Sequence, residues 1–380
     1  FVKCIMYLLF INFFTFFTVL FNSVNGQCFF LSEESNATQT ENQCCGEKMA
    51  YTMKLNESCA ILGKKFDCSF AWLLERYKLS DKYAIKANTE VKFPGHPKCV
   101  FLTAASANYF PSLRMLIANI KEHFGCNQKI IAYDLGNVTK NSEWMAELNS
   151  VCNLELRNFD FSQMVAGRVR HIKSFAWKIF VMADVLLEYD TVIWVDTSIF
   201  FGSDNLATIL KPLQNGKIGP VQLMSNTGHG KNIATHPGMY QYLPMAANFL
   251  PNKTYGLLGN DPQQFEAGFV ILQKMEQTRQ LMKWALLCAA EPDCIVPIGQ
   301  TKECLYTPTG PNLTCHRQHQ SLLDSLLHNM EYSQQISDPT FLAHANTVHP
   351  RWSFNGSCSI KLRQTFAGSA DEWLGKVKCC

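Results

Sequence analysis

Asp196 stands where an open α/β sheet would do chemistry. It closes the apolar run Thr191–Val195 within SFAWKIFVMADVLLEYDTVIWVDTSIFF, residues 174 to 201. That stretch reads as an amphipathic helix, a tight Tyr-Asp turn and a short strand buried on both faces. Ligands of such sheets bind at the carboxyl ends of strands. A buried Asp there needs a cation or hydrogen-bond donors, because leaving it unpaired costs several kcal/mol, roughly. The plainer alternative is a turn or helix-capping Asp. Just upstream, Arg168, Arg170, Lys173 and Lys178 form a cationic cluster. It would clamp an anionic ligand, or else form a solvated basic helix edge. Glu266, at a strand start, has the chemistry of an acceptor-side base, though a capping or salt-bridged Glu explains it equally. His316 and His319, at i and i+3, read as a surface pair on one helical face. His229 and His236, within a Gly/Pro-rich loop, either line an acceptor or simply form turns.

The elements that must position these groups alternate. The spacing predicts strands at 100–105, 129–133, 154–159, 191–195, 217–223 and 265–272. Helices are expected at 111–124, 142–151, 206–213, 277–290 and 320–327. Strands alternating with helices mean βαβ units and a mostly parallel sheet. Strands 100–105, 129–133 and 191–195 are expected to be neighbours in it. The long connection 225–262 is of the length that usually serves function. No internal repeat interrupts this order.

At 380 residues the chain buries a substantial core. Its net charge of +3 is spread over mixed signs, with no Lys/Arg stripe to suit nucleic acid. An apolar run from Cys4 to Phe21 follows Lys3. It reads as a single-pass type II signal anchor or a signal peptide, and either delivers the remainder to a lumen. Sequons at Asn36, Asn56, Asn137, Asn252, Asn312 and Asn355 agree with that route. So do the 16 cysteines, whose density calls for a disulfide framework in an oxidising compartment. Cys288, Cys294, Cys304 and Cys315 would pin one loop. No CxxC knuckle supports a zinc site. Ser106 lacks a Gly-x-Ser-x-Gly setting, and no Gly-x-Gly-x-x-Gly follows the first strand, which argues against a serine hydrolase and an NAD enzyme.

Taken in order, Asn108-Tyr109, Trp177-Lys178, VIWVDTS (192–198), Glu266-Ala267-Gly268, His319-Gln320 and Val348-His349-Pro350 make a pattern. It resembles the GT-A glycosyltransferases, in particular the glycogenin-like and galactosyltransferase-like family 8. The phrases FLTAASANYF, KIIAYDLG, AWKIF and WVDTS are more similar still to a nematode-rich family of secretory glycosyltransferase-like proteins. The resemblance covers about residues 98 to 352. It implies that Thr103, Ala104 and Ala105 hold a nucleotide and that Tyr109 packs on its base. Arg170 and Lys178 would face the diphosphate or sugar. Asp196 and His349 would ligate Mn²⁺ or Mg²⁺, and Gln320 would lie near the anomeric carbon. Asp196, Gln320 and Glu266 become the catalytic candidates. Two acidic positions of the family pattern are missing here, replaced by Ser198 and His319, which leaves a divalent ion short of ligands; Asp204 is a possible substitute.

The expectation is therefore an α/β, GT-A-like mostly parallel sheet with flanking helices. A signal segment (1–27) and a disulfide-rich stem (28–97) would precede the GT-A-like domain (98–352), and a Cys-containing tail (353–380) would follow. The resemblance implies a Golgi or ER lumenal enzyme, or a secreted one, moving a sugar from a UDP-sugar to a glycan or glycoprotein. The membrane would be met only through an uncleaved N-terminal helix. The alternative is a catalytically silent glycan-binding module. Asp196→Ala should abolish transfer and leave folding largely intact.

Overall fold

The computed structural model describes residues 40–44, 47–51, 64, 66–86, 89–164, 167–223, 226–231, 233–243, 263–301, 306–307, 310–311, 315–338, 340–342 and 360–362. The apolar run at 4–21, five of the six sequons and His349 lie outside them.

Six strands form the central sheet. They are β1 (Cys99–Ala105), β2 (Ile130–Asp134), β3 (Leu154–Asn158), β4 (Thr191–Val195), β5 (Val221–Leu223) and β6 (Phe269–Gln273), in spatial order β3-β2-β1-β4-β6-β5. β1 pairs in parallel with β2 and β4, and β2 with β3. Only β6 runs against its neighbours, antiparallel to β4 and to β5. The fold is thus mixed α/β with a mostly parallel sheet, and the three strands expected to be neighbours are so. From β1 the chain steps outward through β2 and β3, then returns to lay β4 on the other side of β1. That reversal is a topological switch point, where sheets of this kind leave a crevice outside the carboxyl ends of the strands, here β1 and β4.

Alternation along the strands divides the core in two. Val100, Leu102, Ala104, Val192 and Trp194 face one cluster with helix α3 (Trp177–Leu186) and helix α5 (Glu276–Ala290). Helix α6 (His319–Ser337) adds Leu322, Leu323, Leu326 and Leu327 to that layer. Phe101, Ala105, Ile193 and Val195 face the other cluster, with α1 (Phe110–Phe124) and α4 (Ala207–Gln214). Helix α2 (Ser142–Asn149), capped by the Asn141 side chain, covers the β2–β3 end. α3 is apolar almost all round and buries Ile179, Phe180, Val181, Met182 and Val185, as a helix sandwiched between sheet and helices must. Each large apolar side chain so buried contributes about 1.5–3 kcal/mol, which fixes the first turn that carries Lys178.

Three boundaries differ from the sequence reading. The run 217–223 yields only Val221–Leu223, since Pro220 offers a carbonyl to Gln273 (2.8 Å) but has no N–H for the ladder. The run 265–272 splits into Gln263–Phe265 and β6, because Glu266-Ala267-Gly268 turns the chain past Asp196. The 320–327 helix extends to His319–Ser337.

Residues 66–79 send Phe66, Phe70, Leu73, Leu74, Tyr77 and Leu79 into the α3/α5 core. At the other end of the chain, Ile360–Leu362 pairs antiparallel with Ile199–Phe201, the strand just after Asp196. Among the described cysteines, Cys288 and Cys294 are bridged with Cα atoms 5.2 Å apart. Cys68, Cys126, Cys152 and Cys315 are also disulfide-bonded, while Cys99 is a buried free thiol. Among the described residues no helix is long and apolar enough to cross a membrane.

Candidate functional site

Asp196 follows the last residue of β4, beside the β1–β4 crevice. Its N–H donates to the Gly268 carbonyl at 2.7 Å. Its Oδ1 accepts from Lys178 Nζ at 2.6 Å and from Trp194 Nε1 at 2.8 Å. Trp194 lies two residues back on the same sheet face, so the strand period itself brings its N–H to the carboxylate. Gly268 leaves the other oxygen uncovered: a Cβ built there would sit 3.7 Å from Asp196 Oδ2, in ordinary contact.

Lys178 is the second residue of α3 and only 4% exposed. A cation in the first turn works against the helix dipole, at about 0.3–1 kcal/mol for a surface group. Burial adds to that cost, so the ammonium requires its carboxylate. It also sits over the rings of Trp194 (5.2 Å), Phe175 (5.4 Å) and Trp177 (5.8 Å), whose faces favour a monocation.

The third member is His319, first residue of α6, whose Nε2 lies 3.3 Å from Lys178 Nζ. An ammonium only donates, so Nε2 is the acceptor and Nδ1 carries the proton. Burial first, then the Lys178 charge, hold this imidazole well below its usual pKa, while the Ala267 backbone opposes the shift. The ring is neutral at pH 7. Nδ1 itself makes no hydrogen bond of good geometry.

Backbone strain gathers beside the cluster. Of the five non-glycine residues with positive φ among the described residues, Phe175 (56°) lies two before the start of α3 and Gln318 (41°) directly before that of α6. Phe175 also packs its ring 5.6 Å from that of His319. An aromatic in the left-handed region is an outlier held by its surroundings, and such outliers cluster at functional sites.

The remaining candidates divide. Gln320 donates from Nε2 to Gln264 Oε1 at 3.0 Å, tying α6 to the strand Gln263–Phe265. Glu266 is half-buried in the turn that precedes Gly268. Thr103, Ala104 and Ala105 end β1 beside Asp196, but on alternating faces: Ala104 toward α3, Ala105 toward α1. Thr103 is 1% exposed and its hydroxyl has no hydrogen-bond partner. Tyr109, in the turn from β1 to α1, is 59% exposed.

Arg170 is engaged elsewhere. Its guanidinium donates to the Met164 carbonyl at 2.7 Å and the Ser162 carbonyl at 3.3 Å, closing its own loop. Arg168 pairs with Asp293, on the short helix Pro292–Ile295 that the Cys288–Cys294 bridge pins. Residues 168–174 form 3₁₀ turns rather than a helix edge, and of this cationic cluster Lys178 alone makes the contact with Asp196 described above. His316 and His319 are not a surface pair. His316 is 0% exposed, precedes α6 and receives the His236 N–H on Nδ1 at 3.2 Å. Its Nε2 reaches the Ile295 carbonyl at 3.1 Å, and burial pushes its pKa down to about 3.

Among the described residues, which do not include His349, the donor set does not fit a divalent cation. Asp196 Oδ1 serves two donors, His319 Nε2 faces an ammonium, and Ser198 and Asp204 are exposed. Among the described residues no three His, Cys, Asp or Glu side chains gather in a metal-binding group. A cavity of about 780 Å³ between α4, α5 and α6, lined by Ile218, Leu281, Trp284, Leu326 and Phe341, shares no residue with this cluster.

Trp194, His319, Phe175 and Gly268 were missed or misjudged in the sequence. Only Trp194 had a local signal, its i, i+2 relation to Asp196.

Residues 35–183 match the family described as "Protein of unknown function (DUF1647)". No curated protein matches the chain. Among solved structures the chain is similar to the apo structure of WbbM, a bifunctional glycosyltransferase, at 15% identity and a TM-score of 0.40. That likeness covers 76% of this chain and 51% of WbbM, so the chain spans about half the length of that protein. It is also similar to the galactosyltransferase LgtC in complex with donor and acceptor sugar analogs, at 12% identity and a TM-score of 0.39, covering 73% of this chain and 95% of LgtC. Neither assigns a role to a residue here.

Proposed function

We propose that the chain is a GT-A-like glycosyltransferase that takes a sugar from a nucleotide-sugar, with a UDP-sugar as donor and a glycan or glycoprotein as acceptor. The observation that carries this reading is the meeting of Lys178, Asp196 and His319 beside the β1–β4 crevice, from three sequence-distant elements. Each belongs to the ordered set of motifs that resembles the family 8 enzymes and the nematode-rich secretory family. In this reading Tyr109 offers an exposed ring to the base. Asp196 Oδ2 accepts a ligand hydroxyl, and Gln320 stands near the anomeric carbon. The sequons and disulfides support a lumenal or secreted location, with the 4–21 segment as anchor or signal peptide.

One observation favours a second reading, a silent nucleotide- or glycan-binding module. Lys178 and Asp196 neutralise one another, which leaves little positive charge to stabilise a departing diphosphate. The test is UDP release from a panel of UDP-sugars, with and without oligosaccharide acceptors. Release by the wild-type chain and its loss in Asp196→Asn supports transfer. Saturable uridine diphosphate binding with no release from any donor supports the silent module.

A further inference from the structure

Lys178 and its surroundings have a consequence for metal ions. Among the described residues, a divalent cation at the end of β4 would use Asp196 and the nearby imidazole. Both are already turned to the same ammonium, at 2.6 Å and 3.3 Å. One lone pair on His319 Nε2 serves Lys178 or a metal, not both. Trp194 Nε1 takes a further share of the same carboxylate oxygen. Lys178 is 4% exposed and its ammonium lies over three aromatic rings, so an ion would have to displace a buried, well-contacted cation. A dication beside Asp196 would also be repelled by Lys178 across a low-dielectric gap.

We propose that Lys178 takes the place of a divalent cation at Asp196, so that this edge receives a ligand hydroxyl on Asp196 Oδ2 and binds neither Mn²⁺ nor Mg²⁺. The ligand named here rests on the proposed function; the metal claim does not. Three features of the chain converge on it. The carboxylate is balanced by a resident charge, which removes the need for a metal to neutralise it. The Asp196 side chain is 28% exposed, and the hydrogen bonds from Lys178 and Trp194 both fall on Oδ1, which leaves Oδ2 for a donor. Ser198, at the second acidic position of the family pattern, is exposed and supplies no charge.

The test is Mn²⁺ titration of the full chain, followed by the electron paramagnetic resonance signal of the free ion. Wild type and Asp196→Asn should leave equal free Mn²⁺. Lys178→Met, which releases both Asp196 Oδ1 and His319 Nε2, should remove one equivalent of the signal. Lys178→Arg, which keeps the charge, should behave as wild type. Uptake of one equivalent by the wild type that disappears in Asp196→Asn overturns the proposal. So does a folded Lys178→Met protein that gains no ion, because Lys178 would then not be what excludes it. If Lys178→Met does not fold, the comparison of wild type with Asp196→Asn decides alone. The titration needs no nucleotide, so a failure to bind uridine diphosphate counts against the proposed function and leaves this inference standing.

Discussion

Two clusters of buried charge lie in the same layer of this protein, and they are built differently. On α5, Arg279 is 4% exposed and spends all five donors. It reaches Glu276 at 2.6 and 2.8 Å, the Ser80 carbonyl at 2.9 Å, the Leu79 carbonyl, and Asp81 at 3.4 Å. Lys283, one helical turn on, adds a 2.7 Å bond to Asp81. The result is a saturated staple between α5 and residues 79–81. Around Lys178 the geometry is equally tight, yet Asp196 Oδ2 is left open and His319 Nδ1 lacks a good partner. The cation sits at the wrong end of its helix and strained residues stand beside it. Saturation marks a structural cluster; open valences together with local strain mark a site awaiting a ligand.

Substitution should separate the two. Arg279→Met strands Glu276 while Lys283 still holds Asp81, and since Glu276 is partly exposed the loss belongs near the lower end of the range for broken buried pairs, about 3 kcal/mol. Chemical denaturation will show it, and ligand binding by the folded fraction should be unchanged. The second change falls on Asp196, where the structure revises the choice of variant. Asp196→Ala would leave a buried ammonium without its carboxylate, so it disturbs the fold as well as the chemistry. Asp196→Asn keeps an oxygen for Lys178, so it should disturb the fold less than Asp196→Ala, while ligand binding is lost.

Acid should act on the staple. Burial raises the Glu276 pKa, but hydrogen bonds from Arg279, the Ile85 N–H and Gln280 outweigh it and hold the group at about 2. A depressed carboxylate contributes stability that is full above its unfolded value of 4.5 and is lost as pH falls toward about 2. Wild type should therefore lose stability across that window, and Glu276→Gln should flatten the loss. An unchanged slope in the variant would place the acid sensitivity elsewhere. The smallest effect belongs to Gly268→Ala. Its Cβ would meet Ile199 Cδ1 at 3.4 Å and Asp196 Oδ2 at 3.7 Å, ordinary contacts, so the melting temperature should barely move. The methyl group covers Oδ2, and ligand affinity should fall.

Much of this frame was legible in the chain. Thr191–Val195 is a strand because five apolar or β-branched residues follow a turn, and Asp196 stands out by ending them. Lys178 was visible as a cation opening an apolar helix. What closed the site was not. His319 lies 141 residues from Lys178 and meets it only once α6 has packed against α3 and α5. Arg170 looked like a ligand clamp because charge is visible in sequence, whereas the Ser162 and Met164 carbonyls that occupy it are not. The His316–His319 spacing suggested one exposed helical face, but α6 starts only at His319 and the packing of 233–236 covers His316. Gly268 became meaningful only when β6 laid its carbonyl against the Asp196 N–H.

The claim that the Lys178–Asp196–His319 edge is a nucleotide-sugar site is tested most directly by calorimetric titration of uridine diphosphate into three proteins. These are wild type, Asp196→Asn and Arg279→Met, each titrated in the presence of EDTA. The account predicts saturable binding by wild type and by folded Arg279→Met, and none by Asp196→Asn. Binding that survives in Asp196→Asn, or no binding by wild type, would contradict it.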